Sequence, residues 1–208
     1  MLRQQCTNSQ ETSAGGFSIL EVIVSLAVLS IGLLAVALLI SSTSVSGTRA
    51  RYMNLANVLA SDKLDNLNKW PSTDPNVACA SATCGSLTGG ATCGSGNIYC
   101  DTVVVTEASG ADYETQTQMV GSPPAAVTTT IVHTSTGCVD TPANCGVANP
   151  SGAGSTFTRR WLITPNPTIS SAGGSTTVTG ARQITVLVTL NDASFNPPVT
   201  FQMSMVRP

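Results

Sequence analysis

Two hydrophobic patterns follow each other along the first third of the chain. The first runs from Phe17 to Ile40 and is almost continuously apolar, with Glu21 as its only charged residue. At about 1.5 Å per residue, a helix over this stretch would be about 36 Å long, which exceeds the roughly 30 Å of a bilayer's hydrocarbon core. The first pattern therefore predicts a membrane-spanning helix.

The second pattern is amphipathic and lies between Arg49 and Lys69. Its apolar residues recur at the i, i+3, i+4, i+7 spacing of one helix face, and they are Tyr52, Leu55, Ala56, Leu59, Ala60, Leu64 and Leu67. Pro71 ends the pattern because the residue before a proline avoids helical angles. We expect one helix from Phe17 to about Trp70, with only its second half lying against a domain. Strict heptads are not sustained, which disfavours a coiled coil.

The rest of the chain is polar and rich in β-branched residues. Six segments read as strands: Thr102–Glu107, Glu114–Val120, Ala126–His133, Phe157–Thr164, Ala181–Leu190 and Pro198–Met205. Between Ile184 and Leu190 every second residue is apolar, as in a strand with one buried face. The segment Ser72–Cys100 reads as a loop region with one short strand. The fold class predicted is α+β, with an antiparallel sheet laid on the amphipathic half of the helix.

Charge changes this picture little. Charged residues make up 10 % of the chain and the net charge is −2, so no basic surface favours nucleic acid. The local basic clusters are Arg49, Arg51 and the pair Arg159–Arg160, which we interpret as solvated surface charge.

Cysteine usage indicates an oxidising compartment. The chain has seven cysteines, and Cys6 precedes the apolar stretch. If a leader containing Cys6 is removed, an even set remains: Cys79, Cys84, Cys93, Cys100, Cys138 and Cys145. Their spacings lack the C-x-x-C of structural zinc sites, so disulfides are favoured over zinc. The pairing stays open, although a bridge from Cys138 to Cys145 would close a small turn-like loop.

Glu21 distinguishes between interpretations of the apolar stretch. An ordinary secretory signal has a shorter apolar region after a basic segment, and a plain membrane anchor leaves the carboxylate unexplained. A carboxylate in a lipid-spanning helix costs several kcal/mol and is normally placed against a partner. Cleavage between Gly16 and Phe17 would create an amino group one helical turn from Glu21. The amino terminus of a neighbouring subunit could approach the same carboxylate and set the register of a polymer.

These residues resemble the class III signal of type IV prepilins and of type II secretion pseudopilins. The matching string is Gly16-Phe17-Ser18-Ile19-Leu20-Glu21, followed by the apolar run Val22–Leu29. In that family a dedicated membrane peptidase cuts after the glycine and methylates the new terminal residue, here Phe17. The resemblance covers roughly residues 15–70. Within the family, Ile31–Leu34 together with Leu55–Asp65 is most similar to minor pilins of the pilus-modification, PilV-like group.

The resemblance implies a type IV pilin-like organisation. Residues 1–16 would be a removed leader, 17–40 a transmembrane and assembly helix, 41–70 its amphipathic continuation, and 71–208 a disulfide-stapled β-rich head. The expected partners are the prepilin peptidase, other pilin subunits and the inner membrane, followed by the pilus at the cell surface, with the head periplasmic or extracellular. Two alternatives remain: a pseudopilin of a type II secretion system, and a membrane-anchored adhesive or ligand-binding module that does not polymerise.

The sequence predicts no enzyme, metal or cofactor. His133 is the sole histidine, so it cannot supply a multi-histidine metal site. The glycine-rich stretch Gly85–Gly96 lacks the Lys-Ser/Thr of a phosphate-binding loop. No G-x-S-x-G or H-E-x-x-H motif occurs. Four acidic residues, Asp101, Glu107, Asp112 and Glu114, follow no calcium-loop pattern.

Overall fold

The structure is a computed structural model that describes residues 18–89 and 92–208. The predicted cleavage residues Gly16 and Phe17, and the leader cysteine Cys6, lie outside these residues. The chain divides into two compact units, the first ending at Gly47 and the second comprising Thr48–Pro208.

One α-helix, α1, runs from Ile19 to Lys69. Its first turn starts at Ser18, whose carbonyl oxygen accepts hydrogen bonds from the backbone N–H groups of Glu21 and Val22. The polar residues from Ser41 to Gly47 are helical as well. The helix ends two residues before Pro71, as the sequence predicts. Its last carbonyl groups would lack partners without a cap, and Nη1 of Arg207 donates hydrogen bonds to the carbonyl oxygens of Leu67, Asn68 and Trp70 at 2.9, 3.2 and 3.0 Å.

Ten strands follow α1 in the described residues. They are β1 (Cys84–Gly85), β2 (Cys100–Ala108), β3 (Ala111–Val120), β4 (Ala125–Thr134), β5 (Val139–Asp140), β6 (Ser155–Pro165), β7 (Thr168–Ser171), β8 (Gly174–Thr177), β9 (Arg182–Leu190) and β10 (Thr200–Arg207). Within these residues eight strands form one antiparallel sheet, in the order β10-β9-β6-β2-β3-β4-β5 with β1 paired to β6. Strands β7 and β8 form a separate hairpin. The α+β layout predicted from the sequence is confirmed.

The core of the second unit lies between one face of the sheet and the C-terminal half of α1. The helix buries Ala56, Leu59, Ala60, Leu64 and Leu67 against apolar side chains of β2, β6 and β9. Strand β9 contributes alternate residues, so that Ile184, Val186, Val188 and Leu190 are all at most 3 % exposed. Burial of this apolar area is the main stabilising contribution to the unit. We call the sheet face toward α1 the inner face.

All six predicted strand segments are strands, with ends shifted by a few residues. Pro198 lies outside β10, consistent with a proline having no N–H to donate to a ladder. The hairpin of β7 and β8 was not predicted. Its sequence is mostly Ser, Thr and Gly, and its one large apolar residue, Ile169, is 48 % exposed, so no buried alternation marks it. Hydroxyl groups of Thr168 and Thr177 pair across it at 3.1 Å.

Candidate functional site

Glu21 is in the first turn of α1, where its charge favours the helix. The aligned peptide dipoles leave partial positive charge at a helix amino terminus, and a carboxylate there is stabilising. The side chain of Glu21 is exposed. Glu21 is therefore placed where a cation from outside the described part of the chain can reach it.

The first unit of the structure presents an uncovered apolar surface. Every residue from Ser18 to Thr48 is exposed, including large side chains such as Ile19 at 80 % and Ile31 at 70 %. Sixteen large apolar side chains between Ile19 and Val45 are exposed in this way. Monomeric soluble proteins rarely leave so much contiguous apolar surface in water, so this segment requires lipid or another protein around it.

Three hydroxyl groups of the same segment have hydrogen-bond partners within the helix. The hydroxyl groups of Ser30, Ser42 and Thr43 donate hydrogen bonds to backbone carbonyl oxygens three residues earlier, at 2.8, 2.9 and 3.0 Å. Groups paired in this way do not need water, which is the condition for a helix inside hydrocarbon. Among the described residues, α1 is a helix that is long enough and apolar enough to span a membrane. Its most apolar stretch has a mean hydropathy of 2.9, and none of that stretch is buried. A signal sequence near an amino terminus meets the same criterion.

The six cysteines of the second unit form three local disulfides: Cys79–Cys84, Cys93–Cys100 and Cys138–Cys145. The bridges agree with the disulfides predicted from the sequence, which left the pairing open. Each bridge joins two cysteines that follow each other along the chain. The two cysteines of each bridge are five or seven positions apart in the sequence. Such bridges fix loops that have little core of their own.

The first two bridges hold the segment between Cys79 and Cys100 against strand β6. Cys84 pairs with Ile163, and the adjacent Gly85 has a φ of 85°. A Cβ at Gly85 would lie 2.1 Å from the carbonyl oxygen of Trp161, so only glycine fits there. The ring N–H of Trp161 donates a hydrogen bond to the carbonyl oxygen of Asn76 at 3.1 Å.

A buried charge cluster joins α1 to the sheet, and sequence reasoning missed it. It consists of Lys63 on α1, Asp101 on β2 and Arg159 on β6, whose side chains are 1 %, 0 % and 2 % exposed. Asp101 accepts hydrogen bonds from Nε and Nη2 of Arg159 at 2.8 and 3.1 Å, and Nζ of Lys63 lies 2.8 Å from Oδ2. Gln116 donates a further bond to Asp101 at 3.0 Å.

The cluster is closed by groups that satisfy its remaining donors. Gln118 accepts from Lys63 at 3.3 Å, and the Lys63 ammonium lies 4.2 Å from the centre of the Trp161 ring. Arg159 also donates to the carbonyl oxygen of Leu59 at 3.4 Å, and its Nη1 lies 3.7 Å from a carboxylate oxygen of Glu114. Buried charges that are paired and hydrogen-bonded in this way are tolerated, whereas an unpaired one is not.

The protonation equilibria reflect this arrangement. Burial raises the pKa of Asp101, but Arg159 and Lys63 together outweigh it, and the pKa lies below its usual value. Burial lowers the pKa of Lys63, against the attraction of Asp101. Burial likewise raises the pKa of Glu114, opposed by Arg159 and reinforced by Asp62. The cluster is thus centred on an ionised Asp101.

The interpretation of Arg159 and Arg160 as solvated surface charge is wrong. Arg159 is in the cluster, and Arg160 is 8 % exposed and donates a hydrogen bond from Nη2 to the carbonyl oxygen of Thr92 at 2.9 Å. A signal was present in the sequence: Arg159 alternates with Phe157 and Trp161 on one strand face. Lys63 likewise lies one helical turn from both Leu59 and Leu67, at a core position of the amphipathic pattern.

The remaining candidate residues are not grouped as metal ligands in the described part of the chain. His133 is exposed at the end of β4. Within residues 18–89 and 92–208 no three His, Cys, Asp or Glu side chains are grouped as metal ligands. Of the four acidic candidates, Asp101 is in the cluster, and Glu107 forms an ion pair with Arg51 on the surface. Asp112 and Glu114 line a groove between α1 and the sheet.

Compared with known proteins, the chain matches no family model, no curated protein and no solved structure.

Proposed function

We propose that the chain is a minor type IV pilin, a non-catalytic structural subunit that a prepilin peptidase processes and that enters, or primes the assembly of, a pilus. The observation that carries the proposal is Glu21, a lone carboxylate in the first turn of a long, exposed, apolar helix. The class III string around Gly16 and Phe17 supports the same reading.

The proposed mechanism follows from the cost of placing Glu21 in lipid. An unpaired carboxylate there costs several kcal/mol, so the subunit gains from a cation at that depth. Cleavage after Gly16 supplies one as the amino group of Phe17, either on the same chain or on a neighbour. Apolar helix surfaces then pack together, and the pairing of Glu21 with a neighbour's amino terminus sets the axial register.

The second unit would form the head outside the membrane. Its three disulfides suit an oxidising compartment, and its disulfide-closed loops resist unfolding without a large core. The proposed location is the inner membrane before assembly, with the head in the periplasm, and the pilus afterwards. The proposed partners are the prepilin peptidase and other pilin subunits.

The test replaces Glu21 by Ala or Val in a piliated host. The mature chain should still begin at Phe17, because the cut lies after Gly16, and its mass should differ from that of the native chain by the substitution alone. The amount of subunit in sheared, purified pili should fall well below that of the native chain. Asp192→Asn, which removes an exposed carboxylate from the loop after β9, is the matched control and should leave incorporation unchanged. Native levels of a Glu21→Ala chain in pili would contradict the role of Glu21. Correct processing with no subunit in pili, for the native chain too, would favour a secretion pseudopilin.

A further inference from the structure

A groove of about 350 Å³ lies in the second unit, between α1 and the β2–β3–β4 side of the sheet. Its helix wall includes Val58 and Asp62, and its sheet wall includes Asp112, Glu114 and His133. We call it the acidic groove. All its lining residues belong to the unit Thr48–Pro208.

The groove exists because α1 does not cover the whole inner face of the sheet. Residues paired across β3 and β4 show which side chains share that face: Val127 is opposite Gln118, Ile131 opposite Glu114 and His133 opposite Asp112. Beyond them, Val139 of β5 is opposite His133. This part of the inner face is therefore without a covering element in the described chain.

The uncovered strip of the inner face and the helix beside it carry four exposed apolar side chains. Val58 is 53 % exposed, Val127 45 %, Ile131 40 % and Val139 61 %. Among the described residues of the second unit, six large apolar side chains are at least 40 % exposed. Four of the six are Val58, Val127, Ile131 and Val139. Scattered apolar residues need no explanation, but their concentration on one strip beside a groove is typical of an interaction surface.

The same groove carries surplus negative charge. Among the described residues neither Asp62 nor Asp112 forms an ion pair, whereas the nearby Glu107 is paired with Arg51. Glu114 faces Arg159, but Arg159 is already engaged by Asp101. Asp62 and Glu114 line the same groove, and burial raises the pKa of Glu114, with the negative charge of Asp62 adding to the shift, as expected from repulsion between two carboxylates. A cation entering the groove would relieve that repulsion.

We propose that the acidic groove docks an amphipathic helix of a partner protein, with Lys or Arg residues flanking its apolar stripe. Such a helix can lay its apolar stripe on Val58 and Ile131, and its long basic side chains can reach Asp62 and Asp112 along the groove walls. The Arg51–Glu107 pair at one end of the groove is an example within this chain of a helical arginine meeting an acidic strand residue. The inference concerns the second unit and does not depend on polymerisation through the N-terminal segment.

The experiment uses the full chain in zwitterionic lipid nanodiscs with its disulfides formed. The probe is a fluorescent helical peptide of about 18 residues, roughly five turns, with a leucine stripe flanked by lysines. Fluorescence anisotropy should show saturable binding above that to empty nanodiscs. A peptide with the lysines replaced by glutamates should not bind, and neither should the lysine peptide with two central prolines, which cannot form the helix.

Variants locate the binding. Asp62→Asn should weaken it about three- to fivefold, since exposed ion pairs contribute at most about 1 kcal/mol. Val58→Asn should weaken it as well, and Asp192→Asn on the distant loop should have no effect. Both Asp62 and Val58 are exposed, so these changes leave folding intact. Equal binding of the lysine and glutamate peptides, or of the helical and proline-containing ones, would overturn the proposal, as would unchanged affinity in Asp62→Asn and Val58→Asn.

Discussion

Removal of Asp101, the central anion of the buried charge cluster, should lower the stability of the second unit strongly. Asp101→Asn keeps the size of the side chain but takes away the negative charge that Lys63 and Arg159 share. Both cations then stay buried at 1 % and 2 % exposure, and within the described residues Glu114, 3.7 Å from Arg159, is the one carboxylate left within ion-pair distance of them. The expected consequence is a large loss of folding free energy without a change of fold.

The magnitude follows from the burial of the partners. Removing one member of a buried ion pair costs about 3–5 kcal/mol, because the remaining charge is left without compensation. For a unit of this size, each kcal/mol lowers the melting temperature by about 2–4 °C, so the expected drop is roughly 6–20 °C. Lys63→Met should cost less, because Arg159 and Asp101 remain paired and the burial penalty of the ammonium disappears.

Urea unfolding of the full chain in detergent, followed by tryptophan fluorescence, measures these differences. Trp161 lies 4.2 Å from the Lys63 ammonium and is 1 % exposed, so its emission reports on this region. The matched control is Arg51→Ala, which breaks the exposed Arg51–Glu107 pair and should cost at most about 1 kcal/mol. A loss in Asp101→Asn no larger than that of the control would mean that Asp101 does not stabilise the two buried cations.

Three further predictions concern the second unit. Since the pKa of Asp101 is lowered in the folded state, its contribution to the free energy of unfolding is complete above about pH 4 and is lost as the pH falls further. The pKa of Glu114 is raised, so protonation of Glu114 stabilises the fold as the pH falls and offsets part of that loss. Glu114→Gln should therefore steepen the loss of stability at acid pH, measured as the urea midpoint from about pH 6 to about 2.5. Gly85→Ala should destabilise more than Gly137→Ala in thermal melts, because both have positive φ but only Gly85 also meets a carbonyl oxygen; equal effects would contradict this. Replacing both cysteines of the Cys138–Cys145 bridge by serine should cost about 2 kcal/mol in urea unfolding, the entropy of closing a short loop, and no loss would show that the bridge adds nothing.

The sequence predicts the layout of the fold well because the two hydrophobic periods are clear. The helical spacing from Leu55 to Leu67 and the alternation from Ile184 to Leu190 each have one buried face, and these faces meet in the core. Helix ends and strand segments follow from the same patterns. The hairpin of β7 and β8 could not be predicted in this way, since hydrogen bonds between small polar residues hold it and no burial pattern marks it.

Charged residues at core positions were the main source of error. In the hydrophobic pattern, Lys63 and Arg159 interrupt an apolar face. In the structure both are buried on that face, because each is paired with Asp101. That pairing joins positions 63, 101 and 159, which are far apart in sequence: strand register places Asp101 opposite Arg159, and the packing of α1 on the sheet brings Lys63 to them. The acidic groove was hidden for the same reason, because the exposure of β4 depends on where α1 lies across the sheet.

Intact-mass spectrometry of the full chain, expressed in membranes that contain a prepilin peptidase, tests the proposed function most directly. If the chain is a pilin, its mature form begins at N-methylated Phe17 and is six hydrogens lighter than its reduced form, and the chain keeps its leader when Gly16 is replaced. A native chain that still begins at Met1 under these conditions, without the methyl group, would rule out pilin processing and leave α1 as a membrane anchor.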